Sequence, residues 1–296
     1  MPGRKTAADF HPAILEIFDG YVHGKLSKRE FIERAAKYAA AGVTGAMIFN
    51  QLRPDYALAQ QVKPDDPAIR TERPSVPSPK GHGAISGLLA MPAKAKGKLP
   101  AVLVIHENRG LNPYIEDVAR RLAKAGYLAF APDALTSVGG YPGNDDKGRE
   151  LQAKLDPRKL FEDWVASFDY LRLHAKSTGK VGAVGFCYGG GICNALAVAC
   201  PELAASVPYY GRQPTAAEVP SIKAPLLIHY AENDERINVG ALPYQAALLT
   251  HQKPFDVHYY PGTQHGFHND TTPRYDKAAA ELSWSRTMAF FGKHLA

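Results

Sequence analysis

The chain has 296 residues, enough for one α/β domain plus an appended segment, and its hydrophobic fraction of 45% is that of an ordinary globular protein. Its formal charge of +6 is spread thinly, with no basic stripe interleaved with aromatics, so nucleic acid is not an expected partner. Its three cysteines show neither a C-x-x-C pair nor zinc-ligand spacing, which argues against a disulfide scaffold or a metal site and for a reducing, cytoplasmic setting.

In chain order, residues 11–22 can form one short helix. Ser27 opens a second, with Glu30 three residues on to complete a capping box and Phe31, Ala35, Tyr38 and Ala39 as its apolar side. The stretch from Ser27 to Phe31 before alanine-rich sequence also reads as a degenerate twin-arginine export signal. Only Arg29 in it is arginine, and the charged Glu33, Arg34 and Lys37 interrupt the alanine-rich segment. A retained helical extension is the reading adopted, with export as the alternative. Residues 39–49 form an apolar run below membrane-spanning length, so no membrane partner is expected. Residues 50–69 are polar and proline-containing and read as a surface linker. The expected division is a helical extension with linker, 1–69, and a second unit, 70–296.

Segments 70–76 and 83–91 flank a turn containing Pro77, Pro79 and Gly81 and predict an antiparallel strand pair. Strands near 101–105, 127–131, 180–185, 204–209, 225–230 and 255–260 alternate with helices near 113–125, 157–175, 189–200, 239–250 and 275–293. That alternation predicts a mostly parallel sheet with helices on both faces and ligand chemistry beyond the strands' C-terminal ends. The glycine-rich stretch 137–147, with Tyr141, is predicted to be a mobile pocket rim. Tyr209, ending a strand, is a further candidate lining residue.

The most specific motif is Gly185-Phe186-Cys187-Tyr188-Gly189, a nucleophile elbow with cysteine in place of serine. An apolar strand precedes it and a glycine-rich helix start comes after it. The glycines permit the close approach of strand and helix, and the helix N-terminus favours a thiolate. Asp234 and His265 come later, each just beyond a strand. Nucleophile, acid and histidine thus occur in the order that α/β-hydrolases use. Cys193 and Cys200 lie on the helix after the elbow and are expected to be inert. Every member of this set falls after residue 100, so the extension is expected to cover apolar surface away from the chemistry.

With these motifs, together with Val104-Ile105-His106-Glu107, Ala131-Pro132-Asp133 and His265-Gly266-Phe267, the chain resembles the dienelactone hydrolase (carboxymethylenebutenolidase-like) family from about residue 100 to its end. The resemblance implies an α/β-hydrolase fold and a Cys187–Asp234–His265 triad. It also implies that Glu107 interacts with the resting cysteine and that the backbone N–H groups of Asn108 and Tyr188 form the oxyanion hole. The family's two carboxylate-binding arginines are missing, since their approximate positions hold Ser137 and Asn269; Arg109 and Arg274 are the alternative cations. A neutral ester or lactone is therefore the expected small-molecule substrate, hydrolysed through a thioester with no cofactor and no metal. Phosphotriester or thioester hydrolysis at the same cysteine, or a catalytically silent scaffold, are the alternatives. The helical extension points to a homodimer as a candidate assembly.

Overall fold

Alternating apolar and amphipathic segments after residue 68 build one nine-stranded sheet in the computed structural model, which describes residues 5–40 and 42–296. The strands are β1 (Ile69–Glu72), β2 (Ser75–Ser78), β3 (Gly83–Pro92), β4 (Leu99–Ile105), β5 (Leu128–Asp133), β6 (Ser177–Phe186), β7 (Ala205–Tyr209), β8 (Leu226–Asn233) and β9 (Phe255–Gln264). The helices are α1 (Pro12–Val22), α2 (Lys28–Ala35), α3 (Gly45–Leu52), α4 (Pro113–Lys124), α5 (Asp145–Gln152), α6 (Pro157–Leu173), α7 (Tyr188–Ala199), α8 (Glu235–Asn238), α9 (Ala241–Thr250) and α10 (Lys277–Leu295).

The sheet order is β1-β3-β5-β4-β6-β7-β8-β9, with β2 also pairing β3. β3 runs antiparallel to β1, β2 and β5, and every other pairing is parallel. The antiparallel pair predicted for 70–76 and 83–91 is thus one long strand with two short partners. The two-residue period of β4 divides the core. Ala101, Leu103 and Ile105 share one core layer with Trp164, Phe168, Leu196 and Leu248 of α6, α7 and α9, whereas Val102 and Val104 share the other with Tyr114, Ile115 and Phe291 of α4 and α10. This is the α/β-hydrolase architecture expected from the sequence.

The N-terminal helices have a core of their own, in which Phe18, Tyr21, Phe31, Phe49 and Leu52 meet. Helix α3 straddles the boundary between the predicted apolar run and the predicted linker. Thr44 Oγ1 accepts from Met47 N at 3.2 Å to cap it, and Ile48, Phe49 and Leu52 share its buried side. The seam with the body is largely polar. Asn108 Nδ2 donates to Val22 O at 2.9 Å, Tyr21 donates to Asp146, and the Arg274 guanidinium lies 5.2 Å from the centre of the Phe18 ring. The predicted rim 137–147 contains a short turn at Thr136–Val138 and the start of α5, capped by Asn144.

Candidate active site

The turn between β6 and α7 holds Cys187 at φ 58°, ψ −112°. This left-handed backbone costs a non-glycine residue on the order of 1–3 kcal/mol and persists only where its surroundings enforce it. The surroundings are tight. A Cβ on Gly185 would meet Gly189 O at 2.2 Å, and one on Gly189 would meet Ile105 O at 2.3 Å. Cys187 N donates to Tyr209 O at 3.1 Å, tying the elbow to β7. The side chain is 7% exposed at the start of α7, where unpaired N–H groups and the helix dipole favour negative charge.

Strands β8 and β9 are parallel neighbours, and Asn233 is in register with Gln264. The next residue of each loop is buried: Asp234 precedes α8, and His265 Nδ1 lies 2.5 Å from Asp234 Oδ2. His265 Nε2 is buried without a hydrogen-bond partner.

A second histidine reaches the sulfur. His23 caps the C-terminus of α1, and its Nε2 lies 3.3 Å from Cys187 Sγ. Its Nδ1 faces Asp19 O at 2.8 Å and Asp19 Oδ1 at 3.1 Å. Sγ and one nitrogen of each histidine lie within 4.8 Å of one another. A thiophilic cation would have to draw on these same donors, so it would compete with acid–base chemistry here rather than occupy a separate centre.

The charges agree with the geometry. Burial alone would raise the Cys187 thiol, but His265 and His23 outweigh it and hold the thiol well below its ordinary value. Burial alone would lower His265, but Asp234 and Cys187 outweigh it and raise the imidazole to about 10. The arrangement is a cysteine-based acid–base centre, at the wall of a cleft of about 660 Å³ also lined by Asn108, Tyr188, Ile192, Arg212 and Arg236.

A model of the dienelactone hydrolase family matches residues 85–295, most of the chain. The chain belongs to the dienelactone hydrolase family. It is accordingly a hydrolase of the carboxylic-ester and lactone class. A second model, described as YqhI-like, matches residues 1–38. Over 115 residues the chain is 65% identical to the "Putative hydrolase fragment YghX" of Escherichia coli (strain K12), covering 39% of this chain and 98% of that one. A "Putative carboxymethylenebutenolidase" of Methylorubrum extorquens is 30% identical over 268 residues, 84% of this chain and 92% of that protein. The crystal structure of a "Putative Dienelactone Hydrolase" from Klebsiella pneumoniae superposes with a TM-score of 0.69 at 27% identity, covering 76% of this chain and 99% of that one. Among the described residues, no helix is long and apolar enough to cross a membrane.

Against this dienelactone hydrolase frame the remaining candidates divide. Asn108 and Tyr188 line the cleft. Glu107 is buried 3.6 Å from Arg109 Nε and accepts from Asn269 Nδ2 at 3.4 Å; among the described residues, its hydrogen bonds and ion pairs do not include Cys187. Arg109 pairs with Asp145 at 3.0 Å, and Tyr141 donates to the same carboxylate. Arg274 is buried 3.8 Å from Asp19. Ser137 sits in the exposed turn after β5. Tyr209 is core, its hydroxyl 2.8 Å from Thr287 Oγ1, whereas its neighbour Tyr210 has φ 36° and places its ring 4.9 Å from that of His265. The residues that sequence reasoning passed over are Asp19, His23, Arg212 and Arg236. The one local signal for the first two was an aspartate four residues before a histidine at a helix end, with Gly24 next in the chain.

Proposed function

We propose that this enzyme cleaves carboxylic esters or lactones by transferring the acyl group to Cys187. Sγ attacks the carbonyl carbon, and the oxyanion is received by the N–H groups of Asn108 and Tyr188. Protonated His265 gives its proton to the leaving alkoxide as the C–O bond breaks, leaving a thioester. Neutral His265 then takes a proton from water, which attacks the thioester and releases the acid and the thiolate. Asp234 keeps the proton on His265 Nδ1, so that Nε2 faces the reaction. Residues 70–296 form the catalytic body in this reading.

The observation that carries the proposal is a strained, buried cysteine with an Asp-oriented imidazole beside it at the wall of a cleft. The expectation of a neutral substrate rested on Ser137 and Asn269. The cleft wall supplies other cations, Arg212 and Arg236, and Arg212 has no ion pair within 4 Å among the described residues. A substrate whose far end carries a carboxylate is therefore the better fit. Incubation with short p-nitrophenyl esters and a carboxylated lactone, with intact-mass analysis of the protein afterwards, tests the chemistry. An acyl adduct on Cys187 that is absent from Cys187→Ala is expected. Full turnover by that variant would overturn the proposal.

A further inference from the structure

Cys187 has two imidazoles beside it, and only one belongs to the proposed triad. The protonation of the other can be worked out from its neighbours. Asp19 O is an acceptor only, so His23 Nδ1 at 2.8 Å must carry hydrogen. The Asp19 carboxylate, at 3.1 Å, reinforces that tautomer. Nε2 of neutral His23 is then a lone pair, and it is aimed at Sγ from 3.3 Å. Nitrogens of both rings surround the sulfur, and His23 Nε2 makes a direct 3.3 Å hydrogen-bond contact with it. A histidine at a helix C-terminus can serve merely as a cap, and the Nδ1 contact is of that kind. A cap does not account for the other ring nitrogen pointing at the nucleophile.

We propose that Asp19–His23 is a second proton-handling pair of this active site, in which His23 Nε2 takes up the proton that the Cys187 thiol gives up as it ionises. The S–H bond breaks, the Nε2–H bond forms, and the resulting thiolate and imidazolium face one another with the Asp19 carboxylate behind the ring. His265 is thereby reserved for the leaving group and the water. His23 is a catalytic residue, because it touches the reacting sulfur, and Asp19 is a positioning residue. Arg236 sets the balance between the two states. Its Nη2 lies 2.9 Å from His23 Nε2, and its Nε lies 3.4 Å from Asp19 Oδ2. It donates to neutral His23 and must swing to Asp19 once the ring is protonated. The other charged groups around the pair are Arg274, 3.8 Å from Asp19, and the His265 ring, whose centre is 4.8 Å from that of His23. The extension is thus part of the catalytic machinery.

This inference rests on Cys187 being the nucleophile, and the test separates the two. Full-length wild type, His23→Gln, His23→Ala, Asp19→Asn and Cys187→Ala are compared. The measurements are the pH dependence of iodoacetamide alkylation of Cys187 and the acylation burst with a p-nitrophenyl ester. Glutamine retains a polar cap but cannot take up a proton. His23→Gln should raise the alkylation midpoint by about one pH unit or more and slow the burst about tenfold or more, with KM little changed. Added imidazole should restore part of the burst in His23→Ala. Asp19→Asn should move the midpoint in the same direction by less, and it decides the matter if the histidine variants lose their native circular dichroism. An unchanged midpoint with Cys187→Ala inactive overturns this inference alone. Activity in Cys187→Ala overturns the proposed function itself.

Discussion

The two carboxylate–histidine pairs at Cys187 are built by opposite means. Asp234 and His265 are far apart in the chain, and their meeting is dictated by two adjacent parallel strands whose register puts Asn233 beside Gln264. Asp19 and His23 meet within one turn of α1, so their pairing is local, but their arrival at Sγ depends on how the extension docks. The first pair should persist for as long as the sheet does. The second should persist only while a small, separate core of helices stays folded against a polar seam.

The strongest way to break the comparison is to remove what both pairs serve. Cys187→Ala should lower turnover by ~10²–10³-fold or more with the fold intact, leaving only the oxyanion hole, as steady-state kinetics would show. Asp234→Asn should cost ~10²-fold or more, because the wrong His265 tautomer is favoured, while the protein's circular dichroism stays native. If Asp234→Asn keeps the wild-type rate, the strand-built pair is not the one that works.

The next test separates the regions. Phe31 is fully buried in the extension's own core, and Phe→Ala there should cost about 3–5 kcal/mol locally. Phe31→Ala should melt the extension before the body and lower activity by about tenfold, the same factor as His23→Gln. Activity that tracks only the melting of the body would show that docking of α1 does not matter.

The pH profile sharpens the same contrast. Because His265 and His23 hold Cys187 well below 9.0 against the effect of burial, its alkylation should persist as pH falls below 9, where an ordinary thiol loses about tenfold per pH unit. His265 is raised from 6.5 to about 10 by Asp234 and Cys187 against burial. That raised value contributes stability that is complete below 6.5 and is lost as pH rises through about 10, whereas the lowered Cys187 thiol contributes stability that is complete above 9.0 and is lost as pH falls; the two offset one another between 6.5 and 9.0, so the thermal midpoint should fall as pH rises from 9 through about 10. Cys193 and Cys200 are buried, and burial raises both thiols, so iodoacetamide should reach them last in peptide maps. The smallest expected effect is in specificity. Arg212→Gln should reduce the preference for a carboxylated ester over its neutral methyl ester by roughly tenfold, the loss of one charge-assisted bond of ~1.5–3 kcal/mol.

Much of the body could be read from sequence because its determinants are local. Glycines flank Cys187 since nothing larger fits where β6 and α7 approach, and the apolar runs and their spacing reveal the sheet. Asp234 and His265 were legible because loops after parallel strands emerge on one edge. Tyr209 and Tyr210 show the limit of such reasoning. They are adjacent and alike in sequence, and only the left-handed turn at Tyr210 sends one ring to His265 and leaves the other in the core. Helix α3 was hidden because its apolar residues were divided between an apolar run and a polar linker. The family resemblance drew attention to Arg109, Arg274 and Glu107, but in the tertiary structure these residues form ion pairs with partners of their own. The sequence by itself determined the elbow, the cysteine it carries and the sheet that presents it. The tertiary structure alone decided that a histidine more than 160 positions earlier touches the sulfur, because docking between two separate cores leaves no periodicity in the chain.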